Sequence, residues 1–237
     1  MQYLALLLSP PDAFVKHLDP AALEAEIQAY HPFHAGQAAA IRAGDALTSA
    51  AAGVRITGGP DAPIITDGPL TESAEESAGG FYVFEADDLD AALAFARQVP
   101  HARDGEVEVW PLFQTFDPPR KLTGSDWLAL LLEPPANVLP PGTPQWEAGA
   151  AQHGQFMAAA GDHILGGAAL HEPSTAKTVR VRDGQVLLTD GPAVEGAQVA
   201  NGFYVLAATD RDEAIKLASM IPATTVELRQ LMGVFAL

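Results

Sequence analysis

The sequence predicts an α+β protein made of two fused copies of one module of about a hundred residues. Three paired motifs carry this reading. Tyr3 to Pro11 reads YLALLLSPP, and Trp127 to Pro135 reads WLALLLEPP. TDGP occurs at Thr66–Pro69 and again at Thr189–Pro192, with Glu72 and Glu195 at the same distance after each. GFYV occurs at Gly80–Val83 and at Gly202–Val205. The order is the same in both halves, so the expected units are residues 1–113 and 126–237. Gln114 to Ser125, QTFDPPRKLTGS, matches nothing in the other half and reads as a linker at 114–125.

Each copy opens with LALLL, a continuous apolar run that suits a strand buried on both faces. An Ala-rich helical stretch follows, about Ala21–Ala43 and Gln145–Ala160, and Pro32 is expected to break or kink the first. Two or three strands come next. Asp183-Gly184 between strand formers predicts a tight hairpin, and copy one has a longer loop, ITGGPDAPII, in its place. A second helix follows GFYV in each copy, Asp88–Gln98 or Asp210–Met220. Asp87 or Asp88 caps the first, Thr209 with Asp212 forms a capping box for the second, and Pro100 and Pro222 stop them. Closing strands run over Glu106–Phe113 and Thr225–Leu231. The pattern β-α-β-β-(β)-α-β is ferredoxin-like, with both helices on one face of an antiparallel sheet. The other face needs a cover. A second sheet of the same chain is the natural one, which predicts face-to-face sheets about a pseudo-two-fold axis, with a cleft for each module.

Composition narrows the function classes. The net charge is −17, from 30 acidic and 13 basic residues, so phosphate backbones and anionic membranes are repelled. Direct nucleic-acid and membrane partners are set aside. There is no cysteine, which excludes disulfides, zinc–thiolate sites and cysteine nucleophiles and fits a reducing cytoplasm. The opening MQYLALLLSPPDAF lacks a basic start and reads as a strand, not a signal peptide. Walker, GxGxxG, GxSxG and HExxH patterns are absent, and Gly58-Gly59 and Gly166-Gly167 read as turns. No cofactor is implied. No metal site is expected either: His163 and His171 flank one strand of copy two without counterparts in copy one.

The candidate site residues come in pairs. Asp67 and Asp190 of TDGP serve either turn geometry or acid–base work at a strand end. His34 and His153 lie on the first helix of each copy, with Asp45 and Asp162 in the Gly-Asp pairs that follow. A carboxylate beside a His orients the ring and supports its charged form, which makes a common acid–base unit; the alternative is a surface His and a turn Asp. Arg55 and Arg180 each follow a Val. They are either cleft anchors for an anionic molecule or surface cations on an acidic protein. Alternation puts the Phe and Tyr of GFYV on opposite faces, so Tyr82 and Tyr204 could line the clefts.

Each half resembles a YCII-related module of the DGPF type. The likeness rests on the opening strand with its Pro pair, Val179-Arg180, TDGP followed by Glu, the Gly-aromatic-Tyr-Val strand, the Asp-rich start of the second helix and the closing Val107–Val109. It covers nearly all of both halves. It implies a dimeric α+β barrel, here within one chain, and a catalytic His–Asp pair that falls on His153 with Asp162 and on His34 with Asp45. Some members of the broader family act on lactone or muconate-type ring-cleavage products, and many DGPF-type genes lie beside sigma-factor genes. The chain departs from the pattern at Leu70 and Ala193, where the family has Phe. Copy one closes with Trp110-Pro111, and copy two with Arg229-Gln230.

Two functions compete. One is a cofactor-free acid–base enzyme of lyase, isomerase or dehalogenase type acting on a small anionic organic molecule. The other is a non-catalytic module that binds a small molecule or a protein, linked to sigma-factor regulation. The fused pair is expected either as a monomer, an internal pseudo-dimer, or as a homodimer.

Overall fold

The computed structural model describes residues 1–9, 20–68, 77–193 and 198–235. Pro69, Leu70, Glu72 and Glu195 of the motifs above lie outside them. The first half runs β1 (Gln2–Ser9), α1 (Pro20–Gln37), β2 (Ile41–Ala46), β3 (Val54–Thr57), β4 (Ile64–Asp67), β5 (Ser77–Glu85), α2 (Leu89–Ala96) and β6 (Glu106–Pro111). The second repeats it: β7 (Asp126–Glu133), α3 (Pro144–Ala160), β8 (Ile164–Ala169), β9 (Lys177–Arg182), β10 (Gln185–Asp190), β11 (Val199–Ala207), α4 (Arg211–Ala218) and β12 (Thr225–Gln230). No helix of the described residues is long and apolar enough to cross a membrane.

Local signals explain most of these elements. Asp183 and Gly184 both have positive φ, 52° and 76°, as the two-residue turn between β9 and β10 requires. Asp88 accepts the Ala91 amide at 2.8 Å and caps α2. Asp210, not Thr209, caps α4 by accepting the Glu213 amide at 2.9 Å. Glu213 reaches back to the Thr209 amide at 2.6 Å, so the box lies one residue later than the sequence suggested. α1 continues through Pro32 and ends at Gln37, not at Ala43. The proline ring is exposed, so only one backbone hydrogen bond is lost. Ile41 to Ala43 belong to β2 instead, which moves Asp45 from a helix end into a strand.

The strands form two six-stranded antiparallel sheets, ordered β10-β9-β6-β1-β5-β2 and β4-β3-β12-β7-β11-β8. Within each, four strands of one half keep the ferredoxin-like order, β6-β1-β5-β2 or β12-β7-β11-β8. The remaining two strands come from the other half. The hairpin β9–β10 extends the first sheet through β6, and β3–β4 extends the second through β12. The sheets therefore do not follow the sequence halves.

Period-two alternation sorts the side chains. Leu4, Leu6, Phe81, Val83 and Trp110 of the first sheet share one buried cluster with Leu128, Leu130, Leu132, Phe203 and Val205 of the second. The sheets thus meet across a common core. On its other face the first sheet buries Ala5, Tyr82, Phe84 and Val107 under Phe33 of α1 and Phe95 of α2. The second sheet does the same with Ala129, Tyr204 and Leu206 under Phe156 and Leu217. Two isolated bridges link the sheets at their rims, Leu47 with Leu231 and Leu112 with Leu170. At each, a strand bulge supplies an acceptor: the Leu47 amide reaches the Gly79 carbonyl, and the Leu170 amide reaches that of Asn201, both at 2.9 Å.

Candidate functional site

Each module has a cleft between its first helix and the helix-facing side of its sheet, and the same tyrosine anchors both. Tyr82 and Tyr204 project from the second position after the paired Gly80 and Gly202, and their hydroxyls end under the helix. Tyr82 Oη is 2.7 Å from His34 Nε2, and Tyr204 Oη is 3.1 Å from His153 Nδ1. Phe33 and Phe156 meet these tyrosines edge-on, with centroids 5.5 and 5.1 Å away. Strand register makes Gly44 equivalent to Gly167, because they oppose Tyr82 and Tyr204.

Counting back from those glycines matches Phe33 with Phe156. It does not match the two histidines. His34 follows Phe33 directly, whereas His153 lies three residues before Phe156. The histidines occupy positions one helical turn apart and converge on the same hydroxyl. The position of His153 is taken in module 1 by Tyr30.

Burial sets the protonation of these groups. It holds the His153 ring below the ordinary imidazole range, so the ring is neutral at neutral pH. Burial lowers His34 as well, and the neighbouring His31 adds to this. It pushes the Tyr204 phenol up to about 12 and drives Tyr82 higher still, so both hydroxyls stay protonated.

The module 2 cleft encloses about 560 Å³ and is lined by Phe113, Leu131, Trp146, His153, Met157 and Tyr204, among others. Phe113, Leu139 and Met157 on its rim are 42%, 41% and 50% exposed, which leaves a wet apolar mouth above a polar floor. Among the described residues its charged lining groups are Glu133 and Glu172, with no Lys or Arg. Gly167 shapes the floor: a Cβ there would lie 2.4 Å from the Tyr204 ring and 2.6 Å from the Phe203 carbonyl. Gly167→Ala is therefore expected to cost about 1–3 kcal/mol of stability, measured by urea unfolding, and to shift the His153 ring resonances.

The module 1 cleft is smaller, about 340 Å³, and is lined by Tyr30, Asp45, Tyr82, His101, Val234 and Phe235, among others. Asp45 is 2% exposed. Its carboxylate accepts the amides of Gly233 at 2.7 Å, Ala46 at 2.9 Å and Val234 at 3.2 Å. Burial outweighs those donors and pushes its pKa up to about 6. The folded protein thus holds this proton more tightly than the unfolded chain, in which an Asp titrates near ~4. The stability this group contributes is full below that value and is lost as pH rises through about 6. Asp45→Asn is expected to lose less stability than the natural chain between pH 4 and 7, read from urea midpoints. Equal losses would remove Asp45 as the cause.

Comparison with known families joins the two clefts to a lineage. The family model of the YCII-related domain matches residues 17–115 and again 133–234. The chain belongs to the YCII-related family. Curated proteins give no match to it.

The expected His–Asp contacts are not formed in this tandem YCII-related protein. Asp162 is exposed in a short turn, Gly161–His163, and the ring partner of His153 is Tyr204. Asp45 faces backbone amides while His34 faces Tyr82. Asp45 and Asp162 are not equivalent either, since register places Ala168 opposite Phe203 as Asp45 stands opposite Phe81. The TDGP carboxylates lie outside both clefts. Asp190 pairs with Lys177 at 2.7 Å, and Asp67 pairs with Arg211; both are exposed ends of the exchanged hairpins. Arg180 pairs with the largely buried Glu106. Arg55 pairs in register with Glu227 of β12, and by the same strand logic its counterpart is Thr178, not Arg180.

Tyr30, Trp146, His101 and the segment after β12 line the clefts without having been singled out from sequence. Aligning Phe33 with Phe156, in place of the Gly-Asp pairs, reveals Tyr30. No local pattern marks the others.

Proposed function

We propose that this YCII-related protein binds a small organic molecule in the module 2 cleft, with His153 and Tyr204 as the polar anchor. The exposed apolar mouth formed by Phe113, Leu139 and Met157 over that pair carries the reading, because such a rim around convergent polar groups suits an apolar body with one hydrogen-bonding group. The acidic lining favours a neutral or cationic ligand over the anionic one expected from sequence. A second reading, proton transfer, draws on the neutral ring of His153, which is competent as a base. Among the described residues no carboxylate is bonded to that ring, which favours binding without turnover. We place the protein in the DGPF-type branch and in the cytoplasm. We also propose that the rim bridges close the eight central strands into a dimeric α+β barrel.

The test uses the neutral fluorescent probe N-phenyl-1-naphthylamine. Saturable binding is expected that disappears in Ala150→Trp, which fills the cleft, and weakens about fivefold in His153→Ala, the worth of one hydrogen bond. Unchanged binding in a folded Ala150→Trp variant would place the ligand elsewhere and end this reading.

A further inference from the structure

The two clefts share their parts but differ in what lies across them. In module 1 the strap after β12, Met232–Phe235, forms part of the cleft wall. The Met232 amide donates to Ala46 at 2.9 Å, and the Gly233 and Val234 amides converge on the buried Asp45 carboxylate. Phe235 then turns inward. Its ring lies 4.6 Å from His34 and 5.4 Å from Tyr30, and it is 9% exposed. The strap therefore places an aromatic side chain against the histidine that holds the module's tyrosine.

Module 2 has the same approach but no catch. After β6 the Phe113 amide donates to Ala169 at 2.9 Å, the counterpart of the Met232 contact. Ala168 stands where Asp45 would receive the next amides. The chain passes on, and Phe116 packs on Phe203 in the core between the sheets, 5.4 Å away. Asp45 is thus the feature that holds a strap against one cleft, of about 340 Å³, while the other, without it, has about 560 Å³.

We propose that the module 1 cleft is a second small-molecule site, for neutral aromatic ligands, which the chain's own Met232–Phe235 strap keeps too narrow for them. The ligand class rests on the reading of the module 2 cleft; the narrowing rests on the strap contacts and the smaller cleft volume. A ligand of the size that the module 2 cleft takes must displace Phe235, and the aromatic neighbours of that ring, Tyr30 and His34, define what replaces it.

The stoichiometry of N-phenyl-1-naphthylamine binding tests this. The intact chain is expected to bind one equivalent, lost in Ala150→Trp. A chain ending at Met232 is expected to bind two, the second being lost in Ala29→Trp, which fills the module 1 cleft. A folded short chain that gains no site overturns the proposal, as does an intact chain that already fills a site sensitive to Ala29→Trp. An intact chain that binds nothing, beside a short chain that binds one equivalent sensitive to Ala29→Trp, upholds the strap and defeats the module 2 reading. If the short chain does not fold, Phe235→Ala in the full chain decides. It keeps the amides on Asp45, vacates the aromatic space and is expected to gain the same site; no gain overturns the proposal.

Discussion

Replacing Trp110 by alanine is expected to destabilise the protein by about 3–5 kcal/mol. Trp110 is fully buried where the two sheets meet, so truncation leaves a cavity lined by residues of both. The loss is also polar. The indole N–H donates to the buried Glu108 carboxylate, which further accepts the Ala193 amide at 2.6 Å. Burial already holds the Glu108 pKa above the usual carboxylate range, and removal of a donor leaves it worse satisfied. Trp110→Ala combined with Glu108→Leu should cost less than the two single changes added together. Urea unfolding of the four proteins of that cycle measures the coupling, and strict additivity would show that the indole contributes volume alone.

The equivalent position of the second half gives the other large effect. Arg229 stands in β12 as Trp110 stands in β6, and it is 1% exposed. Its guanidinium donates to Glu227 at 3.0 Å and to the Thr48 carbonyl, and its stem fills the space over Gly53. Arg229→Ala leaves a mostly buried carboxylate and a carbonyl without their donor, for an expected loss of about 3–5 kcal/mol. Arg229→Met with Glu227→Gln removes both charges and keeps volume, so it should recover most of the stability. A double variant as unstable as Arg229→Ala would mean that the packing of the stem, not the ion pair, sets the cost.

Much of the architecture is legible in the sequence because its signals are local. Apolar runs mark β1 and β7, Asp183-Gly184 marks a turn, and paired motifs mark the duplication. The exchange of hairpins is not legible. The alternation of β9 and β10 and the turn between them are the same whichever sheet the hairpin joins; only a contact distant in sequence, Val107 with Val179, decides it. The site shows the same division. Period two correctly puts Tyr82 and Tyr204 opposite Phe81 and Phe203. It cannot say that a histidine reaches each tyrosine from a different turn, or that Asp45 turns toward a strap nearly two hundred residues away in sequence.

The exchanged hairpins also bear on how the chain is made. Synthesis is vectorial, and the free edge of β6 waits for β9, so the first sheet is incomplete until Arg182 and its hairpin partner strand have left the ribosome. Meanwhile β3 and β4 are already made, and the edge they need, β12, comes last. Neither half can finish folding before the other begins, and a nascent chain carries one orphan hairpin, β3–β4, and an open edge at β6 through much of translation. Such intermediates invite pairing between neighbouring chains on one polysome. Fusion of the two copies answers that hazard kinetically: each hairpin's proper acceptor is tethered at high local concentration, so the partner in cis arrives before a stranger does.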